Sequence, residues 1–288
     1  MWGSSYLFIK IAVDDFGTFT LVALRLAIGS ALLWTVLRIA RQPLPRSAHV
    51  YGHLVVMAVV NIAVPFLLIT WAERSVESSL AAILTSIVPL FAVVIAPLFI
   101  EDEAMRINGV AGLVIGFIGV VVLTGGGLSG ASSDLLSEIA LVGASLSYAV
   151  GAVYARRNIR GLPTMIPAVF QVTFALLITG TIAIVVEHPW TIRPTLAGVG
   201  AIVWLGIFGS GFAYLAFFRL LSHWGATRTT AVAYLLPIVG IALGFLVLGE
   251  QIDARTVIGT LLIIGGVALV NSRFGRQLIF ARTRPRTA

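Results

Sequence analysis

Hydrophobic positions along the chain come in long unbroken runs. "SSLAAILTSIVPLFAVVIAPLFI" (Ser78–Ile100) carries no charge at all. Set against charged and Gly/Pro breaks, the runs predict ten spans, near residues 1–13, 18–39, 50–72, 78–100, 107–125, 135–155, 163–186, 196–219, 225–248 and 255–272. A membrane barrel would alternate apolar and polar positions over segments of about ten residues, and no such alternation is present. In hydrocarbon, backbone polar groups must bond within their own segment, which leaves helices. The predicted fold class is all-α: a polytopic membrane protein of ten transmembrane helices. The first run, "MWGSSYLFIKIAVDD", is too short for a span, which needs roughly 20 residues. A signal peptide would carry its positive charge first; here Lys10 comes late and two acids follow. The expectation is the outer part of a first helix whose cytoplasmic part is missing.

Composition agrees with a lipid medium. The chain is 59% hydrophobic and 11% charged, against about 25% charged in soluble domains, and its mean hydropathy is +1.03. Cysteine is absent, which excludes disulfides and thiolate metal sites. The net charge of +7 does not call for nucleic acid, because the arginines cluster at the ends of apolar runs. Counted over alternate connections, fourteen arginines fall on one side and only Arg74, Arg193 and Arg255 on the other. The rich side is expected to be cytoplasmic, with both termini inside and the basic tail 273–288 near the anionic inner leaflet. The expected location is a bacterial-type cytoplasmic membrane. The partners expected are the bilayer and a small-molecule substrate. No cofactor is called for, and a monomer is compatible with the sequence.

The chain resembles itself. At an offset of 148, "VPFLLITWAERSVESSLAAILTSIVPLF" (Val64–Phe91) falls on "FAYLAFFRLLSHWGATRTTAVAYLLPIV" (Phe212–Val239), with Pro89 on Pro237 and Phe66 on Tyr214. One residue closer, Glu103 meets Glu250 and Gly112 meets Gly259. Trp2 and Lys10 match Tyr148 and Arg156. The expected organisation is a first five-helix repeat over 1–125, a Gly/Ser-rich linker over 126–134, a second repeat over 135–272 and the tail. Five spans is an odd number, so the second repeat is inverted. Inverted repeats are a transporter architecture, with the substrate held near midplane between the repeats.

The stretches "WGSSYLFIK", "LVALRLAIG", "VPFLLITWAER", "SSLAAILTSIVPLF" and "LLPIVGIALGFLVLGEQI" resemble EamA-type carriers of the drug/metabolite transporter superfamily over nearly the whole chain. The resemblance implies a secondary transporter, exporter or facilitator, for a metabolite, amino acid or drug. It implies a cavity lined by the first, third, fourth, sixth, eighth and ninth helices.

Polar and helix-breaking residues at bilayer depth are the candidates for that cavity. Asn61 and Pro65 share a face of the third helix, and the proline frees a carbonyl one turn back. Thr85 and Ser86 precede Pro89, and Tyr234 precedes Pro237 at the matching point. Ser210 lies between two glycines, where close helix packing is the competing explanation. Tyr148 and Tyr214 add aromatic walls. Bonding back to the preceding turn competes for Thr85 and Ser86. Lys10, Arg25 and Arg156 are expected to snorkel, and Glu103 and Glu250 to cap the helices that follow them. No acid falls at the centre of a predicted span, so facilitated diffusion and coupling through an interfacial carboxylate both stay open.

The alternative class is an intramembrane enzyme or a lipid-handling protein. "GLSG" (Gly127–Gly130) matches a serine-protease pattern, but Ser129 falls in the linker and the histidines at span ends. His49 and His53 share a helix face without a third metal ligand nearby. The chain is therefore expected not to be an enzyme.

Overall fold

The computed structural model describes residues 1–100, 107–124, 132–159, 161–217, 219 and 235–272. Tyr234, Glu103, Ser129 and the basic tail lie outside the described residues.

The described residues form helices α1 (Trp2–Ala12), α2 (Thr18–Ile39), α3 (Ala48–Ala72), α4 (Ser78–Phe99), α5 (Ile107–Thr124), α6 (Ser132–Asn158), α7 (Met165–Val186), α8 (Leu196–Phe217), α9 (Leu235–Leu248) and α10 (Ala254–Asn271). Among them, eight are long and apolar enough to cross a membrane; α1 and α9 are shorter. Large apolar side chains such as Val121, Leu177, Val185 and Leu246 are more than half exposed. On a soluble surface such positions would be a liability; in lipid they face the solvent they match.

In three of the five equivalent pairs, the helices of the two halves lie against each other and run in opposite directions. Phe19 and Thr20 of α2 meet Glu187 just past α7, while Ser30 meets Thr173. In α5 and α10, Gly112 faces Gly266 and Gly119 faces Gly259. In α4 and α9, Ala82 faces Gly240. One sequence number rises as its partner falls in each pair, as inverted halves require. The remaining contacts exchange the same way: α1 on α9 mirrors α6 on α4, and α3 on α6 mirrors α8 on α1.

Among the described residues the regular helix fails at three interior places, and the last residues of α9, Gly244–Leu248, are also π-helical. The backbone takes π-helical form at Val59–Ala63 of α3 and at Leu205–Phe212 of α8. In α4 the helix stops at Thr85 and restarts at Val88. Pro65 and Pro89 lie just beyond two of these breaks, where a missing N–H leaves a carbonyl four residues back without its donor. Side chains supply replacement donors for carbonyls in the same regions. The Ser147 hydroxyl donates to Val60 O at 2.6 Å, the Trp2 indole to Gly209 O at 3.1 Å, and the Ser145 hydroxyl to Leu84 O at 2.9 Å.

At one end of the bundle, carboxylates bond across the halves to the starts of helices. Glu187 accepts from the N–H groups of Phe19 and Thr20 at 3.0 and 2.7 Å. Glu250 accepts from those of Ser78 and Ser79 at 2.7 and 3.0 Å. Asp15 accepts from the N–H of Thr195, the residue before α8, at 2.9 Å. These negative groups satisfy open N–H donors at the positive end of a helix dipole. The expectation for Glu250 is thereby corrected. It caps α4 rather than the following helix, because Asp253 already accepts from Thr256 N at 2.7 Å at the start of α10.

A side chain at Gly112 would place its Cβ 2.5 Å from Gly266 O, a backbone atom. Gly112→Leu is expected to cost about 1–3 kcal/mol by overpacking, read as a lower melting temperature of the purified protein. Gly52, with nothing within 4 Å of a Cβ, is the control: Gly52→Ala should leave melting unchanged or raise it.

Candidate functional site

A cavity of about 290 Å³ lies between the halves, close to the lower end of the roughly 300–1,000 Å³ common for small-molecule sites. From α1 it is lined by Trp2, Ser5, Tyr6 and Ile9, and from α3 by Asn61, Phe66 and Ile69. Thr85, Ser86 and Val88 come from the break in α4, Tyr148 from α6, Tyr214 and Phe217 from α8, and Leu236 from α9. Arg25 of α2 completes the wall.

The breaks in α3 and α4 each deliver residues to the cavity. The π segment of α3 carries Asn61, whose Nδ2 donates to Gln171 Oε1 at 3.0 Å. At the break in α4, Thr85 and Ser86 face the cavity while their hydroxyls donate back to Ala81 O and Ile83 O, both at 2.7 Å. The Tyr6 hydroxyl is bonded to Thr85 Oγ1 across the α1–α4 contact. Trp2 meets Tyr214 edge-on at 5.9 Å and Phe217 at 5.5 Å, forming an aromatic corner.

Arg25 is only 2% exposed. Its Nε donates to Ser210 Oγ at 3.2 Å, and its guanidinium lies 4.2 Å from the centre of the Phe66 ring. Snorkelling is thus excluded for Arg25: the side chain turns inward between α2 and α8. Lys10 does not reach for lipid headgroups either. Its Nζ donates to Glu73 O and Val76 O, both at 2.7 Å, and closes the C-terminal end of α3. Arg156 remains exposed.

A family model for the EamA-like transporter family matches residues 1–125 and 135–272. The chain belongs to the EamA-like transporter family. It is similar to an uncharacterized transporter, YoaV, of Bacillus subtilis (22% identical, covering 97% of this chain and 96% of the relative). It is similar to an uncharacterized inner membrane transporter, YedA, of Escherichia coli K12 (28%, 98% and 90%). A third relative is a probable terminal-alkyne amino-acid exporter of Streptantibioticus cattleyicolor (26%, 96% and 92%). A solved crystal structure at 23% identity shares the fold, with a TM-score of 0.69 over 93% of this chain and 91% of that one. The chain is thus a multi-pass membrane transporter and not an enzyme.

Of the residues singled out in this EamA-like sequence, the cavity brings together Asn61, Thr85, Ser86, Tyr148 and Tyr214. Pro65 and Ser210 are buried but do not line it. Pro65 acts on the backbone of α3, and Ser210 acts through Arg25. Tyr6, Phe66 and Arg25 were not foreseen as wall residues. Phe66 lies one residue past Pro65 and aligns with Tyr214, which is the signal that could have found it. Arg25 sits in the second helix, which the resemblance leaves out of the wall. The metal reading of His49 and His53 also has a simpler account: the two rings bond to each other at 3.0 Å, and His53 to the Tyr154 hydroxyl at 2.7 Å. Among the described residues, no group of three metal-ligating side chains forms.

Glu73, just past α3, is fully buried, and neither carboxyl oxygen has a hydrogen-bond partner among the described residues. Burial holds its pKa well above the usual carboxylate range, opposed by the Lys10 charge. An acid raised in this way favours the folded state fully below its unfolded pKa of about 4.3, and that contribution is lost as pH rises through the folded value. The melting temperature should therefore fall less between pH 4 and neutrality in Glu73→Gln than in the parent. Equal slopes in the two proteins would contradict the raised pKa of Glu73.

Proposed function

We propose that this chain is a secondary transporter, exporter or facilitator, that moves a small organic solute across the cytoplasmic membrane by alternating access, with the central cavity as the binding site. The observation that carries this reading is the position of the cavity between two antiparallel, mutually packed halves. Two such halves that rock against each other present one site to either side. The probable terminal-alkyne amino-acid exporter among the relatives supports a small organic metabolite as the class of solute.

With arginine-rich connections inside, the carboxylate-bonded end is the outer one. A lipid-handling role fits less well, because the cavity is enclosed by residues from seven helices of both halves rather than formed on one lipid-facing surface.

The chain has no cysteine, so single-cysteine variants report without background. Leu44→Cys, in the α2–α3 connection, should react with a membrane-impermeant maleimide only from the cytoplasmic side, and Trp190→Cys, before α8, only from outside. Ser5→Cys, in the cavity wall, should react from both sides. Labelling at Ser5 from one side only, under every solute condition tried, would overturn alternating access.

A further inference from the structure

Arg25 is the one charged residue among those lining the cavity. A guanidinium carries five N–H donors, and only Nε is used, on Ser210 Oγ at 3.2 Å. Among the described residues, its terminal nitrogens have no hydrogen-bond partner and no carboxylate lies within ion-pair distance. A structural arginine buried to this degree is ordinarily paired, since an uncompensated buried charge is costly. Phe66 under the guanidinium and Ser210 behind it fix its orientation without neutralising it. Glu73 is the acidic group within electrostatic range, but it makes no ion pair with Arg25, and burial disfavours its charged form.

We propose that the transported solute bears a single carboxylate, which docks on the free edge of the Arg25 guanidinium, and an apolar body that lies against Trp2, Phe66, Tyr148 and Tyr214. This rests on the cavity being the transport site. The planar fork of arginine matches a carboxylate with two parallel N–H···O bonds. One cation in an otherwise uncharged wall matches one negative charge. A phosphate dianion would be left half compensated, and an organic cation would be repelled. The largely apolar wall selects amphipathic acids over small hydrophilic ones. Among the lining residues, only Arg25 can tell an acid from its amide by charge.

The test uses the full chain purified in detergent. Thermal shift and tryptophan fluorescence are titrated with a set of aliphatic and aromatic monocarboxylates, each beside its amide and its amine, with phenyl phosphate as the phosphate arm. The acids should bind about 10–150-fold more tightly than their amides, the size of a charged hydrogen-bonded contact, and the amines should not bind. Arg25→Gln should erase the difference between acid and amide, while Arg25→Lys keeps part of it. If Arg25→Gln does not fold, the comparison of acid with amide on the parent protein still decides. Amides or amines binding as well as acids, or acids binding Arg25→Gln undiminished, would overturn the proposal. So would the absence of binding by every acid, or tighter binding of phenyl phosphate. Labelling at Ser5 from both sides would leave alternating access standing in each of these cases, so the two readings fail separately.

Discussion

Hydrocarbon offers no hydrogen bonds, so a backbone group released from a helix there needs a partner inside the protein. The interior breaks of α3, α4 and α8 are shaped by that demand. The π segments of α3 and α8 and the break in α4 leave carbonyls open, and Ser147, Trp2 and Ser145 donate to carbonyls within or beside them. Those donors come from neighbouring helices, so each break is also a fastening between elements. Ser147 of α6 on α3 and Trp2 of α1 on α8 are corresponding fastenings in the two halves. The cavity exists where helices are irregular, and they can be irregular only where neighbours complete them.

The architecture was legible because its cause is repetitive. Apolar length set by the bilayer, arginine at helix ends and a five-helix pattern used twice are all properties of many residues at once. The breaks were half legible. Pro65 and Pro89 announced two of them, whereas the π segment of α8 has only the glycines around Ser210 to mark it. Thr85 and Ser86 bond back to their own turn, as short hydroxyls in apolar helices do, and still line the cavity. Their position, rather than a spare hydrogen bond, makes them part of it.

Arg25 shows where such reading stops. A charge about 10 Å into a span has two ways out: extension to the interface, or compensation inside. Distance along the chain favours the first. The second depends on Phe66 and Ser210, which lie 41 and 185 residues away in sequence. No local pattern reports that meeting. Glu73 poses the same difficulty in reverse. Tertiary packing buries it, and neither carboxyl oxygen has a hydrogen-bond partner among the described residues.

The glycine seam between α5 and α10 constrains how those two helices can move against each other. Gly112 and Gly119 bring one helix backbone directly against the backbone of its counterpart at Gly266 and Gly259. Few side chains intervene to re-rotamerise, so the seam can roll but cannot slide without collision. Under the alternating access proposed above, such a seam is suited to serve as a fulcrum. No residue of α5 or α10 lines the cavity, so a rotation about the seam would move the cavity walls more than the seam itself.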